Sequence, residues 1–164
     1  ITDLPLSHQG RKQAQRLGAG LATRPLARVL SSDLKRALST AHAIASRHRL
    51  AVDPTPALRE IDFGAWEGRS LADLWSEDPQ AARAWENDIR STPSGFGESL
   101  ACLQTRVEGW WRQVHAVDEG ARGELAIVAH RCSLAALRAV ITGETIEEAF
   151  STPLDVGVAV AVMF

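Results

Sequence analysis

Arg36, His130 and the acids Glu60, Asp62 and Glu67 are the side chains whose types and settings could do chemistry, and Arg36 could meet a phosphate group. Arg36 follows the run Val29-Leu30 and then Ser31, Ser32 and Asp33, whose hydroxyl and carboxylate side chains are preferred helix caps. Leu34, Ala37, Leu38 and Ala41 recur at spacings of three and four, so the segment reads as strand, turn and helix. Arg36 then lies in the helix's first turn. A cation there is mildly unfavourable unless an anion is close, because unpaired N–H groups already gather a partial positive charge. Amide donors plus a guanidinium make a receptor for phosphate. The plainer alternative is a solvated arginine beside Lys35.

His130 stands just past Leu125-Ala-Ile-Val-Ala129, an all-apolar run that predicts a central strand covered on both faces. Residues 57–68, ALREIDFGAWEG, bring Glu60, Asp62 and Glu67 close to Phe63 and Trp66. Apolar neighbours raise a carboxyl pKa, as a general acid requires. The alternative is that all three acids are solvated.

The elements that must position these residues alternate along the chain. Pro5 breaks the entry, Ser7 is a candidate cap, and Ala14, Leu17, Gly18 and Leu21 form the buried stripe of a first helix. Leu50–Val52 reads as a short strand closed by Asp53, Pro54 and Pro56. Residues 70–87 read as helix with a break near Pro79, and with Trp85 as a core or capping residue. A Pro-, Ser- and Gly-rich loop from Thr92 to Gly97 precedes a helix opened by Glu98 and Ser99. That helix carries Leu100, Leu103, Val107, Trp110, Trp111 and Val114 to about His115. Gly120 and Gly123 bracket a turn. Cys132 or Ser133 leads into a helix stopped by Gly143, a short acidic helix spans Thr145–Phe150, and Val156–Phe164 reads as a last strand. His42 and His48 read as ordinary helical or surface histidines.

Such alternation predicts a three-layer α/β/α sandwich around a mostly parallel sheet, a single domain spanning residues 1–164. Sites in such folds lie at the carboxyl ends of strands, which is where both Arg36 and His130 fall.

Bulk composition narrows the partners. The 164 residues carry 18 basic and 20 acidic side chains, a net charge of −2, which predicts neither a nucleic-acid surface nor a polybasic membrane patch. Cys102 and Cys132 form no metal-type pair and no disulfide framework, so a reducing cytoplasm is the expected compartment. No apolar run reaches membrane-spanning length.

Several pieces carry a family resemblance: Asp3, Pro5, Leu6 and Gly10 with Gln13-Ala14; SSDLKRALSTA; LREIDFGAWEG; Gly97-Glu98-Ser99; and the strand ending IVAH. In that order, and over nearly the whole length, the chain resembles the histidine phosphatase superfamily, also called phosphoglycerate-mutase-like. Trp66-Glu67-Gly68 is similar to the alpha-ribazole and broad-specificity phosphatase branches. The short span from Trp66 to Gly95 likewise resembles phosphatases rather than mutases.

The resemblance implies hydrolysis of a small phosphorylated metabolite through a phosphohistidine, with no metal and no cofactor. It assigns Arg36 to clamping the phosphate and His130 to stabilising the transferring group. Glu60 would protonate the leaving oxygen and then activate water, and Glu98 would lie near the pocket mouth. Arg131 and Cys132 stand where the family usually shows glycines. Arg131 could there bind a second acidic group of the substrate or obstruct the pocket.

The family's nucleophile lies in an Arg-His-Gly at the end of its first strand. His8-Gln9-Gly10 matches the family's turn into the first helix instead. The nucleophile, on a strand missing from this chain, is therefore expected upstream of Ile1, and that strand is expected between the sheet's inner strands. Two other outcomes stay open: a non-catalytic member that binds a phosphorylated ligand or a protein, and mutase-type phosphoryl transfer. The expected partner is a small phosphorylated substrate, with self-association as a homodimer left open.

Overall fold

The computed structural model describes residues 1–87, 97–118 and 123–151. Its layering follows from how one strand presents its side chains. In β1 (Leu26–Ser32) successive residues face opposite sides of the sheet. Val29, fully buried, packs with Ala41, Ile44 and Ala45 of α2 (Lys35–His48). Leu30, its neighbour, joins the other cluster, with Leu103, Val107 and Trp111 of α5 (Leu100–Asp118) and Ala135 and Ala136 of α6 (Arg131–Thr142). β3 (Glu124–Val128) divides the same way, Ala126 and Val128 toward α2, Leu125 and Ile127 toward α5 and α6. Helices therefore cover both faces of the sheet, the expected three-layer sandwich.

The strand order is β2-β1-β3, with β2 spanning Val52–Thr55, and every pairing is parallel. Leu30 lies opposite Ile127, and Ser31 opposite Val128, so β1 and β3 end side by side. This register brings the segments carrying Arg36 and His130 to one edge. The expected strand at Leu50–Val52 forms instead at Val52–Thr55 and includes Pro54, paired with Ser31. A proline without an N–H is tolerated because β2 is the outer strand of this set and needs bonds on one side only. β1 and β3 are directly paired, so no strand stands between these two.

α1 (His8–Gly20) is capped by Ser7, whose Oγ accepts the Gly10 N–H at 3.1 Å. It packs against α2 so closely that a Cβ on Gly18 would lie 2.3 Å from the Ala43 carbonyl oxygen. α3 (Leu71–Glu77) and α4 (Pro79–Asn87) break where Pro79 predicts, and Ser70 and Asp73 cap α3 reciprocally. α6 stops at Gly143, whose φ of 76° suits a residue without a side chain. α7 (Ile146–Ser151) closes the described chain. Most of the loop from Thr92, the turn at Gly120, the last strand at Val156–Phe164 and the Trp85 side chain lie outside the described residues. No described helix is long and apolar enough to cross a membrane.

Candidate active site

The start of α2 departs from the sequence expectation. Leu34 occupies the cap position and no side chain of the SSD triplet caps the helix. Asp33 is held by Arg59 through two bonds, 2.7 Å from Nε and 2.6 Å from Nη2. A bidentate guanidinium outcompetes a single amide for that carboxylate. The helix amide is met from elsewhere: the Lys35 N–H donates to Asp3 Oδ1 at 2.8 Å. That amide holds the Asp3 carboxyl below its ordinary value. Asp3 was legible only as part of a motif, since no spacing rule links it to a helix so far along the chain.

Arg36, half-buried, follows in that first turn, and its Nη1 donates to the Thr2 carbonyl at 2.9 Å. It lines an open cleft of about 330 Å³ with Ile1, Thr2, Leu4, Glu60, Phe63 and Glu67. A larger hollow of about 430 Å³ beside Pro79, Gln80, Arg83 and Ala84 brings one arginine and no acid or nucleophile. Chemistry, not volume, distinguishes the first.

The three acids of residues 57–68 separate by environment. Burial pushes the Glu60 carboxyl above its ordinary value, against hydrogen bonds from the amides of Ile61 (3.0 Å) and Cys132 (3.1 Å) to Oε1. Glu67 feels burial too, but bonds from the Thr2 hydroxyl (2.6 Å), the Thr2 amide (2.8 Å) and the Phe63 amide (3.2 Å) hold it below. Asp62 accepts the Gly64 N–H at 2.8 Å, a bond within its own turn. Of the three, Glu60 is the one poised to carry a proton.

His130 caps α6 just beyond β3, in extended backbone conformation, with its own N–H donated to Ser133 Oγ at 3.0 Å. Its Nε2 lies 2.9 Å from Ser32 Oγ at the end of β1. Burial first, then the positive charge of Arg36, depresses its pKa to about 4. The imidazole is therefore neutral at neutral pH. His130 is not among the residues lining the cleft, but Arg36 is close enough to act on its charge.

Glu98 and Arg131 sit differently. Glu98 accepts from Arg106 Nε at 2.9 Å and Nη2 at 2.6 Å. The remaining arm of Arg106 reaches the carbonyls of Ala57 (2.7 Å) and Arg59 (3.2 Å), so the pair braces the segment that carries Glu60. Gly97 lets this junction close, because a Cβ there would lie 2.1 Å from the Asp62 carbonyl oxygen. Arg131 is exposed and lies over the Phe150 ring, 5.1 Å from its centroid. The described structure brings Arg36, Glu60 and His130 together past the strand ends, and turns the Arg131 side chain of α6 against Phe150 of α7. Among the described residues no group of three His, Cys, Asp or Glu side chains could hold a metal ion.

Comparison with known proteins bears on the family and the fold. Residues 1–163 match the model of the histidine phosphatase superfamily (branch 1). The chain is 36% identical to a glucosyl-3-phosphoglycerate phosphatase of Mycolicibacterium vanbaalenii, over 86% of this chain and 64% of that protein. It is 32% identical to an adenosylcobalamin/alpha-ribazole phosphatase of Escherichia coli, over 93% of this chain and 74% of that one. The chain thus spans about two thirds to three quarters of these relatives. Among solved structures, a mycobacterial glucosyl-3-phosphoglycerate phosphatase in complex with VO3 superposes with a TM-score of 0.82 at 30% identity. That likeness covers 92% of this chain and 75% of the other. The alpha-ribazole phosphatase of Shigella flexneri gives 0.78 at 31%, covering 94% and 77%.

Proposed function

The chain belongs to the histidine phosphatase superfamily (branch 1), and on that premise we propose that the protein hydrolyses phosphomonoesters of small metabolites through a phosphohistidine. The observation that carries this reading is the pairing of Arg36 in one cleft with a half-buried Glu60 whose carboxyl is pushed above its ordinary value by desolvation. A guanidinium stays cationic at any working pH and grips a phosphoryl group by two N–H bonds. A carboxyl whose pKa is raised by burial can give a proton to the leaving oxygen and accept one back from water.

In the first half of the reaction the ester P–O bond breaks as a P–N bond forms, and Glu60 passes its proton to the departing alkoxide. In the second half the Glu60 carboxylate takes a proton from water, whose oxygen forms a new P–O bond while P–N breaks. His130, whose pKa burial and Arg36 depress to about 4, gains a reason to hold a proton once a phosphoryl dianion stands beside it. The covalent acceptor is another histidine. The chain has five. His8 lies on α1, His42 and His48 on α2, and His115 on α5 against Trp111. Only His130 reaches the strand ends, and its Nε2 is engaged with Ser32. The family resemblance puts the acceptor in an Arg-His-Gly, which none of these five histidines carries, and we assign it on that ground to a histidine outside residues 1–164. The relatives named above, which are phosphatases of small phosphorylated metabolites, support the substrate class.

Glu60→Gln separates this reading from others. Hydrolysis of an alkyl phosphate, whose leaving group needs a proton, should fall by about 10²–10³ in kcat/KM. An activated aryl phosphate should lose less than about tenfold. Equal losses on both would remove Glu60 from the role of general acid.

A further inference from the structure

Asp33 stands between the end of β1 and the Leu34 cap of α2, shortly before Arg36, and Arg59 directly precedes Glu60. The Arg59 Nε donates to Asp33 Oδ1 at 2.7 Å and Nη2 donates to Oδ2 at 2.6 Å, the two parallel bonds of a fork. We propose that Asp33 and Arg59 are positioning residues that act as one clamp, setting the distance between the phosphate grip of Arg36 and the proton carried by Glu60. This rests on Glu60 acting as the general acid.

β1 and β2 end in register, Ser32 opposite Thr55, and the chain leaves one strand toward Arg36 and the other toward Glu60. The ion pair bridges those two paths across 26 positions of sequence. Its side chains are 43% and 26% exposed, and a pair so exposed adds little to stability. Two bonds between planar groups do fix an orientation. The Arg59 carbonyl meanwhile accepts from Arg106 Nη1 at 3.2 Å. The residue before Glu60 is thus gripped by its side chain from the entry of α2 and by its backbone from α5. The guanidinium holds the Asp33 carboxyl below its ordinary value, so the pair stays charged at neutral pH. Asp33 also bears on His130 by its charge. That effect is common to every phosphate ester, whereas a displaced Glu60 matters only where the leaving oxygen needs a proton.

The test is the ratio of kcat/KM for an alkyl phosphate to kcat/KM for an activated aryl phosphate, measured on the whole protein in a double-mutant cycle. Arg59→Ala and Asp33→Ala should each lower that ratio by about tenfold, and the double variant should lower it no further, because one clamp opens only once. Any loss shared by both substrates, through His130 or through an unpaired charge near the phosphate, cancels in the ratio. An unchanged ratio in the folded variants, or single effects that multiply in the double, would overturn the proposal. If an alanine variant does not fold, Arg59→Gln, Asp33→Asn and their double keep the volume and break the ion pair, and the same outcomes decide. Glu60→Gln measured alongside separates the two failures. Loss of its leaving-group contrast strikes the functional reading and the clamp with it. A kept contrast beside unmoved ratios in the clamp variants strikes the clamp alone.

Discussion

Arg36 occupies a place where a cation is unwelcome, the first turn of α2, and Asp3 and the Thr2 carbonyl meet the donors there. Replacing it with alanine should cost on the order of 2–4 kcal/mol of transition-state stabilisation, read as kcat/KM on a generic aryl phosphate. Arg36→Lys should recover only part, since an ammonium lacks the fork. Unchanged kinetics would detach Arg36 from the phosphate. His130 makes a second claim at this scale. Its folded pKa of about 4 lies below the value of about 6.5 expected when unfolded. Between those values the unfolded chain binds a proton that the folded one refuses, so stability contributed by a neutral His130 is lost as pH falls from about 6.5 to about 4. The full effect is on the order of 3 kcal/mol. Glu60 works the other way, because its raised pKa makes the folded state gain protons over part of the same range. The comparison is therefore with His130→Asn, which should flatten the fall measured by urea unfolding across that window. Parallel curves would show that His130 is not held neutral.

At the scale of elements, the segment 56–60 gains its rigidity from α5. Arg106 ties the Ala57 and Arg59 carbonyls to Glu98, while the Glu98 amide donates to the Asp62 carbonyl at 2.7 Å. Arg106→Ala leaves the Glu98 carboxylate without its partner in a largely buried setting, and should cost about 2–4 kcal/mol of stability. It should also lower kcat for alkyl phosphates more than for aryl ones, since Glu60 loses its brace. A thermal unfolding shift without that selectivity would make Arg106 structural only. None of this was visible in the sequence, where Glu98 read as part of a motif and nothing singled out Arg106. Local periodicity was enough for α1, α2, α5 and α6, because one apolar stripe fixes one buried face. It misjudged the start of α2, where Asp33 turned to Arg59, and the bounds of β2, where outer-strand pairing accommodated Pro54. Distant partners decide both, and spacing rules do not see them.

For the molecule as a whole, the parallel order β2-β1-β3 gathers strand ends onto one edge, and helices seal both faces. The arrangement of alternating elements was legible, and so was the meeting of Arg36 and His130, since both follow strands; Glu60 joined them only through the family resemblance. What the sequence could not convey is that Glu60 receives the amide of Cys132, a contact 72 positions away. The central claim is that this edge handles a phosphoryl group passed through a histidine that is none of the five in residues 1–164. Acid quenching destroys phosphohistidine, so the protein should be quenched in alkali during turnover of a phosphomonoester and its peptides mapped by mass spectrometry. The account predicts acid-labile phosphate on one histidine outside these residues, reduced by Arg36→Ala. Phosphate on His130, or steady turnover with no acid-labile phosphate on any histidine, would contradict it.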